Sequence, residues 1–253
     1  MIYVMSDLHG QYDMFTRMLE LIKFNTNDTM YILGDIVDRG PKSIEIYRYV
    51  KEHDNIILLK GNHEDMMYNA LIPYGRSGKS LWYSNGGTAT AAQMREMTIQ
   101  DKQEMIEYLG QLPYAEVVEV NNIKYVLCHA GLVDYKDVET IDEAIKTNIQ
   151  DDMILWLRPC SDEFEDYVII HGHTPTGYLA FRIDEQKTTG YLQDELYTAP
   201  CPEFTIFKSK SGKEINIDCG AAIPEKLGCL RLDDMKEFYI EANEEEKKYG
   251  REN

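Results

Sequence analysis

The first 70 residues of the chain repeat one unit three times, and this repeat limits the possible folds more than any other feature. Each unit begins with a short apolar run (residues 2–5, 30–33 and 56–59), continues into a polar loop that contains glycine, and ends in a segment with helical spacing. Such units predict parallel strands joined by right-handed crossovers. Because the loops that follow parallel strands line one crevice, we expect the three polar loops to meet in space.

The rest of the chain predicts a second group of strands after a helical middle. Residues 64–112 favour helix, with a break at Gly86-Gly87, and residues 138–147 favour another helix. Strands are predicted at 115–120, 123–129 and 167–170 and in the strand-rich stretch 204–241. We find no linker composition, so the sequence predicts one α/β (α+β) domain over residues 1–243, built on two sheets.

Two segments lie outside this regular pattern. Residues 176–203 have no clear periodicity and are a candidate for an inserted loop. Residues 244–253 are polar and charged, and we expect this C-terminal tail to be a frayed end.

The net charge of the chain is −18, from 26 Lys and Arg against 44 Asp and Glu. This excess opposes binding to a nucleic-acid backbone or to an anionic membrane, because both need clustered cations. We therefore expect neither nucleic acid nor membrane as a partner, and the sequence leaves the oligomeric state open.

The cysteines and the N-terminus indicate a cellular compartment. The five cysteines are odd in number and contain no C-x-x-C pair, which argues against a disulfide framework or a thiolate zinc site. No apolar stretch reaches the ~18 residues of a membrane span, and the first residues reach Asp7 and His9 too soon for a secretory signal. We expect a cytoplasmic protein with reduced thiols.

Polar side chains, most of them of types that bind metal ions, follow five of the predicted strands. In chain order these loops supply Asp7 and His9; Asp35, Asp38 and Arg39; Asn62, His63 and Glu64; His129; and His171 and His173. Carboxylate, imidazole and amide oxygen without thiolate suit Mn²⁺, Fe or Zn²⁺ better than Ca²⁺. Each loop alone is more often a simple turn, but the five together predict a site for two metal ions.

The ordered motifs also resemble a known family. DLHG (7–10), GDIVDRG (34–40), GNHE (61–64), HAG (129–131), GHTP (172–175) and IDCGA (217–221) resemble those of the phosphoprotein phosphatase family of dinuclear metallophosphoesterases. NGGTATAAQM (85–94) and WLR (156–158) are similar to the bacterial and phage, lambda-phosphatase-like, serine/threonine phosphatases. The resemblance implies a calcineurin-like fold, a two-sheet αββα sandwich with its active site at the carboxyl ends of the strands.

The resemblance also implies a role for each matching position. Two divalent metal ions, Mn²⁺ first and Fe or Zn²⁺ as alternatives, would activate a bridging hydroxide that attacks phosphorus directly. The implied metal ligands are Asp7, His9, Asp35, Asn62, His129 and His173, with Asp35 bridging. His63 would be the general acid and Asp38 would orient it. Arg39, Arg158 and Asn62 would bind the substrate phosphate.

Several positions have a simpler interpretation or depart from the family. Lys60 stands where family members often have Arg, so a phosphate contact there is open. His171 is expected to pack behind the ligands, and Cys128 to be a buried structural thiol. The segment PYGRSGKS (73–80) is nearly a P-loop, but Pro73 replaces the first glycine and a predicted helix precedes it.

We predict hydrolysis of phosphomonoesters, mainly phosphoserine and phosphothreonine in proteins or peptides, with phosphotyrosine as a further substrate. The alternative is symmetrical hydrolysis of diadenosine tetraphosphate. Relatives with that activity commonly lack Asp at the position of Asp38 and have Asp in place of Glu64. A third hypothesis is a catalytically silent scaffold that binds phosphorylated partners. It would predict the loss of a metal ligand or of the general acid, and the sequence has every one of these residues.

Overall fold

The computed structural model describes residues 1–76, 78–158, 161–179 and 203–247, and within them ten strands form two five-stranded sheets. The strands are β1 (Ile2–Met5), β2 (Thr29–Ile32), β3 (Ile56–Leu58), β4 (Ala115–Val120), β5 (Ile123–Cys128), β6 (Tyr167–His171), β7 (Phe207–Lys208), β8 (Glu214–Asn216), β9 (Lys226–Arg231) and β10 (Lys236–Glu241). The first sheet has the order β10-β9-β1-β2-β3 and the second β4-β5-β6-β8-β7. Strands β1, β2 and β3 are parallel, as the threefold repeat predicts.

The helices lie mainly between these strands in the chain. They are α1 (Tyr12–Ile22), α2 (Ser43–Lys51), α3 (Asn62–Leu71), α4 (Lys79–Trp82), α5 (Thr88–Gln93), α6 (Ile99–Gln111), α7 (Ile141–Gln150) and α8 (Met153–Trp156). A π-helical turn, Tyr83–Gly87, joins α4 to α5, and 3₁₀ turns occur at Met94–Glu96 and Thr176–Tyr178. No helix among the described residues combines the length and apolar character that crossing a membrane requires.

Successive side chains along a strand point to opposite faces of the sheet, so each sheet contributes to two apolar layers. Along β1, Tyr3 and Met5 belong to the core beneath α1, α2, α3 and α6, whereas Val4 belongs to the core between the two sheets. Leu127 of β5 also lies between the sheets, while Val126 faces the outer layer with α8. The arrangement confirms the predicted two-sheet αββα sandwich.

Local sequence explains where individual helices begin and end. In α1 the buried residues lie on one face because they recur at helical spacing; they are Met14, Phe15, Met18, Leu19 and Ile22. Lys23 ends this helix in the left-handed region. The helix predicted at 138–147 begins at Ile141, because the side chain of Thr140 accepts a hydrogen bond from the Glu143 N–H and caps the N-terminus.

The C-terminal tail differs from its prediction over four residues. Residues 244–247 form a helical turn, in which Asn243 Oδ1 accepts from the Glu246 N–H at 2.9 Å. Arg17 in α1 pairs with the Glu246 carboxylate at 2.7 Å. The frayed-end prediction is therefore wrong for these residues. Of the candidate inserted loop at 176–203, residues 180–202 lie outside the described part of the chain.

Candidate active site

The strand-end loops of both sheets meet at one place, and their backbones adopt unusual conformations there. Six of the sequence-predicted site residues have positive φ angles: Asp7, His9, Asp35, Asp38, Arg39 and His173. Non-glycine residues rarely adopt this region, and when they do they are often found at functional sites.

Glycines allow these loops to pack backbone against backbone. A Cβ atom at Gly40 would lie 2.0 Å from the carbonyl oxygen of His9, and one at Gly61 would lie 2.2 Å from Oδ1 of Asp35. The backbone N–H of His9 donates to the carbonyl of Asp35 at 2.8 Å. The glycines of GDIVDRG and GNHE therefore bring three loops into direct contact.

One group of metal-ligand side chains centres on Asp35, His9 and His63. Nε2 of His9 lies 3.4 Å from Oδ2 of Asp35, and Nε2 of His63 lies 3.9 Å from the same oxygen. One ligand atom from each residue lies within 4.8 Å of the other two, and all three side chains are buried.

A second group shares Asp35 and adds His129 and His173. Nε2 of His129 lies 3.6 Å from Oδ2 of Asp35 and 3.1 Å from Nδ1 of His173. Asn62 lies beside this pair, because its Oδ1 is 2.9 Å from Nε2 of His129. Asp35 thus belongs to both groups, as the bridging role implied by the resemblance requires.

The imidazoles are oriented as metal-ligating histidines usually are. Nδ1 of His9 bonds the carbonyl of Val37 at 2.9 Å, and Nδ1 of His129 bonds the carbonyl of Leu33 at 2.8 Å. These bonds leave Nε2 of each ring as the lone-pair atom that faces Asp35. Nε2 of His173 is buried and has no hydrogen-bond partner. The donor set therefore fits divalent cations such as Mn²⁺, Fe²⁺ or Zn²⁺.

Burial and neighbouring charges tune these groups toward metal binding. Burial, with the Arg39 charge, lowers the pKa of His9. Burial, with the neighbouring His129, holds the pKa of His173 well below its usual value. Burial alone would raise the pKa of Asp35, but the surrounding imidazoles together hold it well below its usual range. These directions favour neutral imidazoles at His9 and His173 and an ionised carboxylate at Asp35, which are the protonation states that bind metal.

Asp7 lies at the edge of this site and joins neither group. Its Oδ2 accepts hydrogen bonds from the backbone N–H of His173 at 2.9 Å and from the hydroxyl of Ser6. A Cβ at Gly172 would lie 2.1 Å from the same oxygen. The structure thus places Asp7 against the GHTP loop, and its role as a metal ligand stays a prediction.

His63 and Asp38 form a buried pair beside the ligand groups. Nδ1 of His63 lies 2.8 Å from Oδ2 of Asp38, which is fully buried. Arg39 donates to Nε2 of His63 at 2.9 Å and to Nε2 of His9 at 3.0 Å. Because both Nε2 atoms accept from Arg39, the ring protons lie on Nδ1, and that of His63 points to Asp38.

Arg158 reaches the same area from the second sheet. Its Nη1 donates to the hydroxyl of Thr174 at 3.1 Å. Its charge also contributes to the lowered pKa of His173. The two predicted phosphate-binding arginines thus come from opposite halves of the fold: Arg39 lies beside His9 and His63, and Arg158 lies beside Thr174.

Glu64 organises the site in a way that the sequence analysis missed. Its carboxylate accepts from the backbone N–H groups of Asp35 (2.7 Å), Gly61 (2.9 Å), Ile36 (2.9 Å) and Val37 (3.3 Å). Burial and the Asp35 charge raise the pKa of Glu64, and the backbone donors oppose that shift. The sequence contained a signal for this role, namely a Glu three residues after Gly61. This spacing is typical of a capping box, in which the Glu side chain accepts from the N–H of the residue that precedes the helix.

A second carboxyl group, that of Asp218 in the IDCGA run, also lies beside the site. Burial and the Asp7 charge raise the pKa of Asp218 well above its usual value, which indicates that the two carboxyl groups are close. Oδ1 of Asp218 accepts from the Gly220 N–H at 2.9 Å. The N–H of Thr176, just after the GHTP loop, donates to the carbonyl of Asp218 at 2.8 Å, so the IDCGA run packs beside that loop.

Three residues singled out in the sequence lie outside the ligand groups. Lys60 donates to the carbonyl of Gly110 at 3.3 Å and lies 4.8 Å from the ring centre of Tyr114, so it packs on the end of α6 and on the residue before β4. His171 bonds the buried carboxylate of Glu214 at 3.0 Å. Burial raises the pKa of Cys128 to about 12, which keeps this thiol neutral.

The P-loop interpretation is excluded by what surrounds residues 73–80. Helix α3 precedes the segment where a P-loop requires a strand. Arg76, a basic residue of the segment, pairs with Asp65 at 3.4 Å and with Asp152 at 3.2 Å. The segment therefore packs against α3 and the start of α8.

The chain is similar to known sequences over much of its length. Residues 1–198 match the sequence profile of the calcineurin-like phosphoesterase family. The chain is 30% identical over 151 residues to a symmetrical bis(5'-nucleosyl)-tetraphosphatase of Klebsiella pneumoniae, covering 57% of this chain and 48% of that enzyme. It is 33% identical over 161 residues to serine/threonine-protein phosphatase 2 of Salmonella typhimurium, covering 62% of this chain and 67% of that protein. The chain spans about half the length of the tetraphosphatases it matches.

Comparison with solved structures supports the fold. A crystal structure of a protein provisionally assigned as a diadenosine tetraphosphatase has a TM-score of 0.59 at 16% identity, covering 96% of this chain and 94% of that one. At this identity the likeness shows a shared fold.

Proposed function

The chain belongs to the calcineurin-like phosphoesterase family, and from this premise we propose that it is a metal-dependent phosphomonoesterase that acts on phosphoserine and phosphothreonine in proteins or peptides. Phosphotyrosine is a further substrate in this proposal. One observation carries it: the buried Asp38–His63 pair lies directly beside the ligand groups centred on Asp35. Such a pair supplies an acid for a leaving oxygen, which a purely metal-binding protein does not need.

The proposal includes two divalent cations, with Mn²⁺ as the first choice and Fe or Zn²⁺ as alternatives. The residues that would hold them are Asp7, His9, Asp35, Asn62, His129 and His173. When bound, such a pair of cations offsets the charge of the phosphate and makes water nucleophilic near neutral pH.

The protein's own side chains position the substrate and move one proton. Asp38 accepts the Nδ1 proton of His63, which fixes the ring so that Nε2 faces the reacting group. We assign Nε2 of His63 as the atom that protonates the leaving oxygen. When phosphate binds, Arg39 would contact its oxygens and no longer donate to Nε2, which would then carry the second ring proton. Arg39, which reaches both His9 and His63, would bind phosphate oxygens together with Arg158 and Asn62.

A second candidate is symmetrical hydrolysis of diadenosine tetraphosphate, which is favoured by the names of several bacterial relatives. Two observations support the phosphomonoesterase instead. Such hydrolases commonly lack an Asp at the position of Asp38, which here bonds His63 at 2.8 Å. They commonly have Asp in place of Glu64, whose carboxylate here accepts from four backbone N–H groups. The alignment also covers more of the Salmonella phosphatase than of the tetraphosphatases.

A side-by-side assay separates these activities. Chelated protein is reloaded with Mn²⁺ and given a phosphoserine peptide or diadenosine tetraphosphate, and released phosphate and ADP are measured. We expect a higher kcat/KM for the peptide. A higher value for the dinucleotide would favour the second candidate, and tight peptide binding without phosphate release would favour a silent scaffold.

The assay also includes a matched pair of histidine variants. His63→Asn should lower kcat on the peptide by about 10²-fold or more, because general acid catalysis contributes about 10²–10⁴. His53→Asn is the control, since His53 stacks on Tyr49 outside the site. Unchanged turnover in His63→Asn would remove the acid role.

The partners follow from the same proposal. We propose phosphorylated proteins or peptides as substrates in the cytoplasm, with neither nucleic acid nor membrane as a partner, because the net charge is −18. With two divalent cations bound, Arg39 and Arg158 would add to a local positive charge that the chain as a whole lacks.

A further inference from the structure

The carboxylate of Asp38 is held by more groups than His63 alone. The indole Nε1–H of Trp82 lies 2.9 Å from both carboxylate oxygens. The hydroxyl of Thr90 donates to Oδ1 at 2.8 Å, on the opposite side from His63. Trp82 and Thr90 are both fully buried, so these bonds do not compete with water.

The hydroxyl of Thr90 also bonds the backbone of Asp38. The N–H of Asp38 donates to Oγ1 of Thr90 at 2.8 Å and to the hydroxyl of Ser43 at 3.1 Å. The single proton of this hydroxyl has its shorter contact with Oδ1 of Asp38, at 2.8 Å, and a longer one with Oγ of Ser43, at 3.2 Å. Thr90 therefore fixes both the backbone and the side chain of Asp38.

The segment that carries these residues is shaped to fit the GDIVDRG loop. It runs from the end of α4 through the π-helical turn into α5 and contains Gly86 with φ of 99°. The carbonyl of Gly86 accepts from the N–H of Arg39 at 3.2 Å, and a Cβ at Gly86 would lie 2.7 Å from Cγ of Arg39. A Cβ at Gly87 would lie 2.4 Å from the ring of Trp82. The two glycines thus allow the segment to lie against the loop.

We propose that Trp82 and Thr90 are positioning residues for protonation of the leaving group, a role that deepens and rests on the proposed phosphomonoesterase function. They hold the Asp38 carboxylate in one orientation, so that Oδ2 always accepts from Nδ1 of His63. The His63 ring then keeps Nε2 directed at the leaving oxygen. Neither residue touches the substrate; both act through Asp38.

The step that they assist is a balanced proton transfer. The oxygen of the attacking water forms a bond to phosphorus and gives one proton to solvent, as the bond from phosphorus to the ester oxygen breaks. Once Arg39 has turned to the phosphate, Nε2 of His63 carries a proton, which goes to the departing oxygen, and His63 then recovers a proton from solvent. Trp82, Thr90 and His63 all donate to the Asp38 carboxylate, which holds it in place during the transfer.

If Trp82 and Thr90 position the acid, their loss should slow some substrates more than others, whereas the loss of a purely packing role should not. A misplaced acid slows esters with basic alkoxide leaving groups, such as phosphoserine, and hardly affects nitrophenyl phosphate, whose leaving group needs little protonation. A loss of packing would lower both rates equally, because it would reduce the fraction of correctly folded protein.

The test compares kcat for a phosphoserine peptide and for p-nitrophenyl phosphate in the Mn²⁺-loaded full chain. Trp82→Phe keeps most of the ring volume and removes the N–H, and Thr90→Val keeps the shape and removes the hydroxyl. We expect each to lower kcat on the peptide by about tenfold or more, a part of the general acid contribution, with a much smaller change on the aryl ester. Thr90→Ser, which restores the hydroxyl, should recover the peptide rate.

Tyr83→Phe is the control, because Tyr83 is in the same turn and is partly exposed. Equal losses on both substrates, or no loss on the peptide in either variant, would overturn the proposal. If the wild-type protein hydrolyses neither ester with metal loaded, the proposed function itself fails, and the positioning role fails with it.

Discussion

The backbone N–H of Asp35 donates to Oε2 of Glu64 at 2.7 Å, and this bond joins the second strand-end loop to the start of α3. Through it, the residue that both ligand groups share is held by the residue next to His63. The GDIVDRG and GNHE motifs therefore form one unit, in which Asp35 and the acid His63 cannot move independently.

Replacing Glu64 by Gln should destabilise the protein. The amide NH₂ of Gln would face backbone N–H groups that now donate to the carboxylate, and a buried N–H without an acceptor costs about 1–3 kcal/mol. We expect the free energy of unfolding to fall by at least this amount in urea titrations. Glu52→Gln, at the exposed C-terminal end of α2, is the control. Equal midpoints for the two variants would contradict this role of Glu64.

Arg39→Lys should impair catalysis although the charge is conserved. A lysine has one ammonium group and cannot reach His9 and His63 in the way that the two guanidinium nitrogens do. We expect kcat/KM on a phosphopeptide to fall by about 10²-fold. The matched control is Arg48→Lys on the exposed face of α2. Similar kcat/KM values in both variants would show that the paired contacts are dispensable.

Lys60→Met should leave turnover unchanged. Lys60 packs on Tyr114 and bonds Gly110, and burial lowers its pKa, so its charged form is disfavoured in the folded protein. That cost is full below the folded-state pKa of Lys60 and disappears as the pH rises to the higher pKa of the unfolded state. We therefore expect the Tm of Lys60→Met at pH 7 to equal or exceed that of the wild type. A raised KM for phosphopeptide would instead indicate a substrate contact.

Cys128→Ala should also retain activity. The thiol is fully buried at the end of β5, and its pKa of about 12 keeps it protonated at neutral pH. It therefore has no thiolate to act as a nucleophile. Turnover should match that of Cys229→Ala, whose thiol is equally buried in β9. Loss of turnover confined to Cys128→Ala, with both variants folded, would contradict the account.

Much of the site could be predicted because ligand-type residues follow parallel strands directly. The carboxyl ends of β1, β2 and β3 lie at one edge of a sheet, so Asp35 and His63 had to come close once the strands were placed. The layering was predictable for the same reason, since apolar runs mark strands and helical spacing marks the covering helices.

The contacts of Asp38 could not be predicted in the same way. Trp82 and Thr90 reach Asp38 from 44 and 52 positions away, through a π-helical turn whose path has no periodic signal. The turn at residues 244–247 was missed because a tertiary contact, Arg17 with Glu246, orders a segment whose composition favours fraying.

The central claim is that phosphomonoester hydrolysis depends on metal held around Asp35. The most direct measurement is phosphate release from a phosphoserine peptide by chelator-treated protein that is titrated with Mn²⁺. We predict no release without metal, and release that rises to a plateau at about two Mn²⁺ ions per chain. Asp35→Asn should show little release at the same Mn²⁺ concentrations. Release by the metal-free protein, or an undiminished plateau in Asp35→Asn, would contradict the account.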